Sequence, residues 1–364
     1  MTEKELIPAA KPIIGDEERA AVDAVLRSGQ LAQGAEVAAF EEEFSAELLE
    51  GRAAVAVNSG TAGLHLGLLA CGIGPGDEVI VPSFTFAATA NAVVLTGATP
   101  VFADIEPGSY CLDPQDVRAR VTARTRAIMP VHLYGHAADV AGLREVADEH
   151  GLALFEDAAQ AHGARRDGHL VGTFGDFAMF SLYPTKNMTS GEGGMVSAAT
   201  PEIARTLRLL RNQGMERQYE NEIVGFNARM TNLHAAIGRV QLRRLAGWTA
   251  QRQANAAFLD AHLEGVATPT VAEGSIHVYH QYTVRVPGDR DAFAAALREE
   301  HAVGCGVYYP IPNHRLPSFG LDVDLPVTEQ AAREVLSLPV HPSLTPDDLE
   351  RIVTAVNTLA RAGA

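Results

Sequence analysis

Lys186 lies in the stretch Phe180-Ser181-Leu182-Tyr183-Pro184-Thr185-Lys186-Asn187, after Glu156-Asp157-Ala158-Ala159-Gln160 and before Gly191-Glu192-Gly193-Gly194. An acid closing an apolar run, a hydroxyl near a lysine and a glycine segment are what a protein needs to hold pyridoxal phosphate. The cofactor wants an amine for a Schiff base, a carboxylate to keep its pyridine nitrogen protonated, and donors for its phosphate. Lys186 supplies the amine and Asp157 the carboxylate. A protonated ring draws off the electron pair left when a substrate loses its α-proton, and the released lysine is the natural base for that proton. These residues predict a cofactor-dependent aminotransferase.

Each residue also has a plainer use. A lysine is ordinarily a solvated surface charge, and Asp157 at a strand-to-helix junction reads as a helix cap. Ser59-Gly60-Thr61 reads as an N-cap, with free amides that would equally take a phosphate. Phe86 reads as core, Asn227 and Arg229 as loop residues capping the next helix, and Glu192 as a turn carboxylate or a substrate contact. His132, His136 and His162 fall near the expected site without metal-ligand spacing, so no metal is expected. Tyr308, Tyr309 and His314, in a proline-rich loop, are candidate substrate neighbours.

The elements that would position these groups alternate. Ala53 to Val57 reads as a strand leading into Asn58-Ser59-Gly60-Thr61 and a helix through Leu69. Strands follow at Val79 to Val81, Thr99 to Ala103, Ala127 to Val131 and Leu152 to Phe155, with helices at Phe86 to Leu95, from Asp113-Pro114, and at Val140 to His150 before Gly151. That alternation predicts an α/β fold, a mainly parallel sheet with helices on both faces. Ligands in such sheets collect beyond the carboxyl ends of the strands, where Thr61, Asp157 and Ser181 would meet. From Ser197 the pattern turns helical, with Pro201 to Arg211, Asn232 to Leu245 and Ala250 to Leu263. Strand-like His280 to Val286, helix Asp289 to Glu300, strand-like Gly304 to Tyr309 and helix Thr345 to Arg361 predict a smaller α/β domain. The expected division is 1–248 for a large cofactor domain and 249–364 for a small one.

With 364 residues, 47% of them hydrophobic and 20% charged, the chain can bury the core of two such domains. Its formal net charge of −16 argues against a nucleic-acid partner, while a few local Arg or Lys residues would still serve a sugar diphosphate. Cys71, Cys111 and Cys305 have no CxxC spacing, so neither a disulfide scaffold nor a zinc site is expected. No apolar signal core and no membrane-length apolar run stand in the sequence, which fits a cytoplasmic protein without a membrane anchor.

The chain resembles the DegT-type (DegT/StrS) nucleotide-sugar aminotransferases, pyridoxal phosphate enzymes of fold type I. The resemblance runs from Pro8 to about Val353. It is carried by Asn58-Ser59-Gly60-Thr61-Ala62, Pro82-Ser83-Phe84-Thr85-Phe86, Glu156 to Gln160, Ser181 to Asn187, and Gly225-Phe226-Asn227-Ala228-Arg229. It implies a Schiff base at Lys186, Asp157 on the pyridine nitrogen, Gln160 near the ring hydroxyl and Phe86 stacked on the ring. It implies a phosphate held by Gly60, Thr61, Ala62 and Ser181, with Asn227 reaching it from the neighbouring subunit of a homodimer with shared active sites.

The resemblance further implies a ping-pong reaction in which L-glutamate converts the cofactor to pyridoxamine phosphate and a nucleotide-linked keto sugar accepts the amine. Gly191-Glu192-Gly193-Gly194 looks more like the members that aminate C4 than the C3 group, so a dTDP-linked 4-keto-6-deoxyhexose is the expected acceptor. Gln213, where a histidine is common, and Tyr183, where another aromatic or a histidine occurs, depart from the pattern on the substrate side. The rivals are a C3 keto-sugar or ketocyclitol aminotransferase and, from a different class, a non-catalytic cofactor-binding regulatory protein. A sugar dehydratase of the same fold would carry histidine in place of Lys186.

Overall fold

The computed structural model describes residues 5–362. At its centre is a seven-stranded sheet in the order Ala53–Val57, Gly194–Ala198, Phe177–Ser181, Ala153–Asp157, Thr125–Ile128, Glu78–Pro82 and Thr99–Ala103. Gly194–Ala198 runs antiparallel to both neighbours, and the remaining pairs are parallel. Buried on both faces, the strands are short, apolar and barely alternating, as parallel sheets require. Val55, Val57, Phe177 and Met179 pack under the helices Gly60–Ala70 and Pro201–Arg211. The alternate residues Ala54, Ala56, Ala178 and Phe180 face Phe40 and Phe44 of helix Ala35–Leu48 on the other side.

Strand ends are what place the site. Asp157 and Ser181 are the last residues of their strands, and Val57 is followed after one residue, Asn58, by Ser59 and the helix Gly60–Ala70. That helix lies tight against the strand Phe177–Ser181. A Cβ on Gly63 would stand 2.8 Å from Met179 Cγ and one on Gly67 2.5 Å from the Phe177 ring, so glycine at both positions lets the helix reach the sheet. Gly194 does the same from the neighbouring strand, where a Cβ would lie 2.9 Å from the Ser59 carbonyl oxygen.

Beyond the sheet, Tyr282–Arg285 pairs antiparallel with Val335–Leu338. Helices Arg290–Glu299 and Pro346–Ala362 close a separate apolar cluster that takes in Ala256, Leu259, Leu297 and Ile352, with Ile7 from the N-terminal segment. This second core supports the division at residues 248 and 249, which we retain as a proposal; residues 1–4 and 363–364 of the two spans lie outside the described residues. The division would fall inside one element. Asn232–His262 is a single helix of 31 residues, not two, because Gly247 costs an exposed helix only about 1 kcal/mol and no proline interrupts it. The stretch Gly304 to Tyr309 is extended but contributes only the bridge of Gly306 to Ser337. Among the described residues no helix is long and apolar enough to cross a membrane.

Substituting Gly67 by alanine forces a methyl into the Phe177 ring. Overpacking of this kind costs about 1–3 kcal/mol, against about 1 kcal/mol gained from alanine's helix propensity. A net loss of up to about 2 kcal/mol is expected in urea unfolding of Gly67→Ala, with an unchanged denaturant slope.

Candidate active site

The strand ends open into a cavity of about 420 Å³ whose wall includes Gly60, Thr61, Phe86, Asp157, Gln160, Ser181 and Lys186. Residues distant in sequence, and expected to meet, do meet. Asp157 is 4% exposed. Its Oδ2 accepts from Thr89 Oγ1 at 2.7 Å and its Oδ1 from the Ala159 amide at 3.1 Å, neither donor being charged. Burial pushes the carboxyl above its ordinary range, and those bonds with the field of Lys186 pull part of the way back.

Behind it, the buried Glu156 accepts the amides of Gly172, Phe174 and Gly175 and lies 3.0 Å from His132 Nε2. His132 Nδ1 accepts the Ala138 amide, so Nε2 carries the hydrogen toward Glu156. The His132 amide in turn donates to the Asp157 carbonyl. His132 therefore braces the strand end.

Lys186 keeps some exposure toward the cavity, yet its surroundings desolvate the amine and bring it down to about 8, with Asp157 opposing the shift. On the opposite wall, Ser59 is the N-cap: its Oγ accepts the Ala62 amide at 3.1 Å. Ala62, expected among the phosphate donors, therefore has its amide engaged and does not line the cavity. Gly60 and Thr61 do, at the positive end of the helix dipole, and Ser181 stands beside them.

Phe86 is not core. Its ring is 63% exposed on the cavity wall, 6.4 Å between centroids from Tyr309. Gln160 accepts the Tyr134 amide at Oε1 and donates from Nε2 to the Tyr309 hydroxyl at 2.9 Å, tying a strand end to the proline-rich loop. Tyr308, Tyr183 and Glu192 also line the cavity. His314 turns away, with Nδ1 2.6 Å from Ser83 Oγ and Nε2 toward Glu329. Asn227 is exposed and lies off the wall of its own chain's cavity. Gln213 makes backbone contacts, its amide donating to the Phe226 carbonyl.

The sequence profile of the DegT/DnrJ/EryC1/StrS aminotransferase family matches residues 12–357. The chain belongs to this family. It is 43% identical to the dTDP-3-amino-3,4,6-trideoxy-alpha-D-glucose transaminase of Streptomyces venezuelae, over 97% of this chain and 95% of that one. It is 44% identical to the UDP-N-acetyl-3-dehydro-alpha-D-glucosamine 3-aminotransferase of Acidithiobacillus ferrooxidans, over 82% of each. The fold superposes on the structure of S. venezuelae DesV in complex with a ketimine intermediate with a TM-score of 0.92, at 42% identity, covering 97% of this chain and 99% of that one. It also superposes on the PLP and PMP forms of the sugar aminotransferase Spr1654 of Streptococcus pneumoniae, both with TM-scores of 0.92, at 26% identity. These pairs cover 99% and 98% of this chain, and 100% and 98% of the other. The protein is thus an aminotransferase of fold type I, with pyridoxal phosphate and its pyridoxamine form as cofactor.

The cavity fits that cofactor. A buried carboxylate with only neutral hydrogen-bond partners suits a protonated ring nitrogen, an exposed aromatic suits a planar ring, and helix-start amides suit a phosphate. Thr89 is the functional residue that sequence reasoning missed; it stands one helical turn beyond Phe86, and its hydroxyl is what fixes the Asp157 carboxylate. Since only the neutral amine attacks an aldehyde, Lys186 with its value near 8 should capture the cofactor increasingly fast as pH rises through 8, levelling off about one unit above it. Stopped-flow absorbance of apoprotein mixed with pyridoxal phosphate checks this; a rise continuing to pH 10 and above would mean an ordinary, solvated lysine.

Proposed function

We propose that the protein transfers an amino group from L-glutamate to a nucleotide-linked keto sugar, in two half-reactions that share Lys186. The supporting observation is the meeting of Lys186, Asp157 and the amides of Gly60 and Thr61 on one cavity. Pyridoxal phosphate, when bound, supplies an aldehyde for the travelling amine and a ring that takes up electron density. Asp157 would hold the proton on the ring nitrogen, Gly60, Thr61 and Ser181 would take the phosphate, and Gln160 and Phe86 would fix the ring's hydroxyl edge and face. Lys186 Nζ would carry the proton from the α-carbon of glutamate and return one to the sugar carbon. Burial suits it to that work, because a value near 8 leaves both protonation states accessible close to neutral pH.

For the acceptor we propose a dTDP-linked keto-6-deoxyhexose, the carrier named for the Streptomyces relative. Glu192 on the cavity wall supports amination at C4, as read from the glycine segment. The names of the Streptomyces and Acidithiobacillus relatives carry a 3-amino group, which gives the C3 alternative the stronger support. Mass spectrometry after incubation with glutamate and matched 3-keto and 4-keto dTDP sugars separates the two by which substrate gains the amine. Lys186→Ala should lose either conversion by on the order of 100- to 10,000-fold, the usual worth of a positioned proton carrier. Turnover surviving in that variant would remove Lys186 from the mechanism.

We further propose a homodimer in which Asn227 completes the phosphate site of the other subunit. Its exposure beside Val224, 89% exposed, and Phe226, 40% exposed, supports a surface that a second copy covers. Mixing Lys186→Ala with Asn227→Ala subunits should restore activity that neither variant has alone. Mixed dimers as inactive as their parents would place Asn227 outside the site.

A further inference from the structure

Thr85 and Thr89 stand four residues apart, the first just before helix Ala88–Leu95 and the second inside its start, with Phe86 between them. Both are buried, at 2% and 0% exposure, and both reach the cavity wall beside Asp157. Their hydroxyl oxygens are 3.3 Å apart, and Thr89 Oγ1 is 2.7 Å from Asp157 Oδ2. A helix threonine readily gives its hydrogen to the carbonyl four residues back, as Thr206 does to Glu202 and Thr358 to Thr354. Thr89, second in its helix, has no helical turn before it, and its hydroxyl goes to the acid instead.

Counting hydrogens gives these bonds a direction. An ionised carboxylate only accepts, so the single hydroxyl hydrogen of Thr89 lies on the line to Oδ2. Thr89 Oγ1 then has only lone pairs to offer Thr85, and the hydrogen between the two threonines belongs to Thr85. Two neutral hydroxyls thus form a relay that runs one way, from Thr85 to Thr89 to Asp157. A hydroxyl that accepts a hydrogen bond becomes a stronger donor, the more so where water is excluded. The same turn carries Phe86, whose carbonyl accepts the Thr89 amide at 3.2 Å.

We propose that Thr85 is a positioning residue for Asp157, its hydroxyl committing that of Thr89 to the carboxylate and so favouring the ionised acid. This rests on Asp157 as the partner of the ring nitrogen. A relay of neutral groups serves that pairing, because it steadies the carboxylate without placing a second cation where the protonated ring must sit. No proton changes hands along it.

The test begins with apoprotein. Carbon NMR of protein labelled at its aspartate carboxyls gives the titration midpoint of Asp157, the signal being the one that Asp157→Asn removes. Hydrogen bonds to the charged form lower an acid's midpoint, so their loss raises it. Thr89→Val should raise it by about one to two pH units and Thr85→Val by roughly half a unit, while Thr85→Ser, which keeps the hydroxyl, should match wild type. In a Thr89→Val background, Thr85→Val should add nothing. Lys186, His132 and Tyr309, the titratable groups that share a field with Asp157, are the same in every variant. In the loaded enzyme, nitrogen NMR of ring-labelled cofactor should show the ring nitrogen losing its proton more easily in the same order.

An unmoved midpoint in Thr85→Val would overturn the proposal. So would an equal shift with and without the Thr89 hydroxyl, since the effect would then bypass the relay. Midpoints in the expected order beside a ring nitrogen indifferent to Asp157→Asn would sink the pairing with the cofactor and leave the relay standing; a ring nitrogen that depends on Asp157, with the Thr85→Val midpoint unmoved, would do the reverse.

Discussion

The interaction on which the rest of this structure depends is the desolvated carboxylate of Asp157 facing the desolvated amine of Lys186. Neither group is comfortable where it is: burial pushes the acid up and the amine down, and each relieves the other only in part. Burying such groups costs free energy that a structural role would not justify, since apolar residues would pack at least as well. A ligand that brings a cation to Asp157 and an electrophile to Lys186 resolves both strains at once. In this family pyridoxal phosphate is that ligand.

Holding the two groups in place takes much of the fold. Asp157 ends a strand and is fixed from the front by Thr89 and from behind through His132, itself held by Glu156 and its three backbone donors. The phosphate end of the site depends on how closely one helix approaches the sheet. Glycines at positions 63 and 67 remove the side chains that would hold it off, and Gly194 lets a strand pass against Ser59. The Tyr309 hydroxyl then links Gln160 to the proline-rich loop at the cavity.

Much of this was legible in the sequence where local chemistry decides structure. Helix Val140–His150 ends at a glycine with φ of 65° and helix Pro201–Arg211 starts at a proline behind a threonine cap, so their bounds could be read directly. Lys186, Asp157 and Ser181 were legible because their chemistry and order are unusual together. What could not be read depends on distant partners. The strand Gly194–Ala198 follows a glycine loop, runs back antiparallel beside Phe177–Ser181, and takes its other neighbour, Ala53–Val57, from far off in the chain. Gly247 gives no sign that tertiary packing carries one helix straight through it. Thr89 is an ordinary helix threonine until Asp157 is brought to it, and the Ala62 amide is engaged by the Ser59 hydroxyl.

The central claim is that Lys186 and Asp157 together hold and work the cofactor, and the absorption spectrum of the protein with pyridoxal phosphate, titrated with L-glutamate, reaches it most directly. The account predicts a visible band from cofactor joined to Lys186, replaced on adding glutamate by the shorter-wavelength band of pyridoxamine phosphate. In Lys186→Ala the first band should not form, and in Asp157→Ala it should form but give way to glutamate far more slowly. A wild-type protein that shows no such band, or a band that no amino donor discharges, would contradict the account.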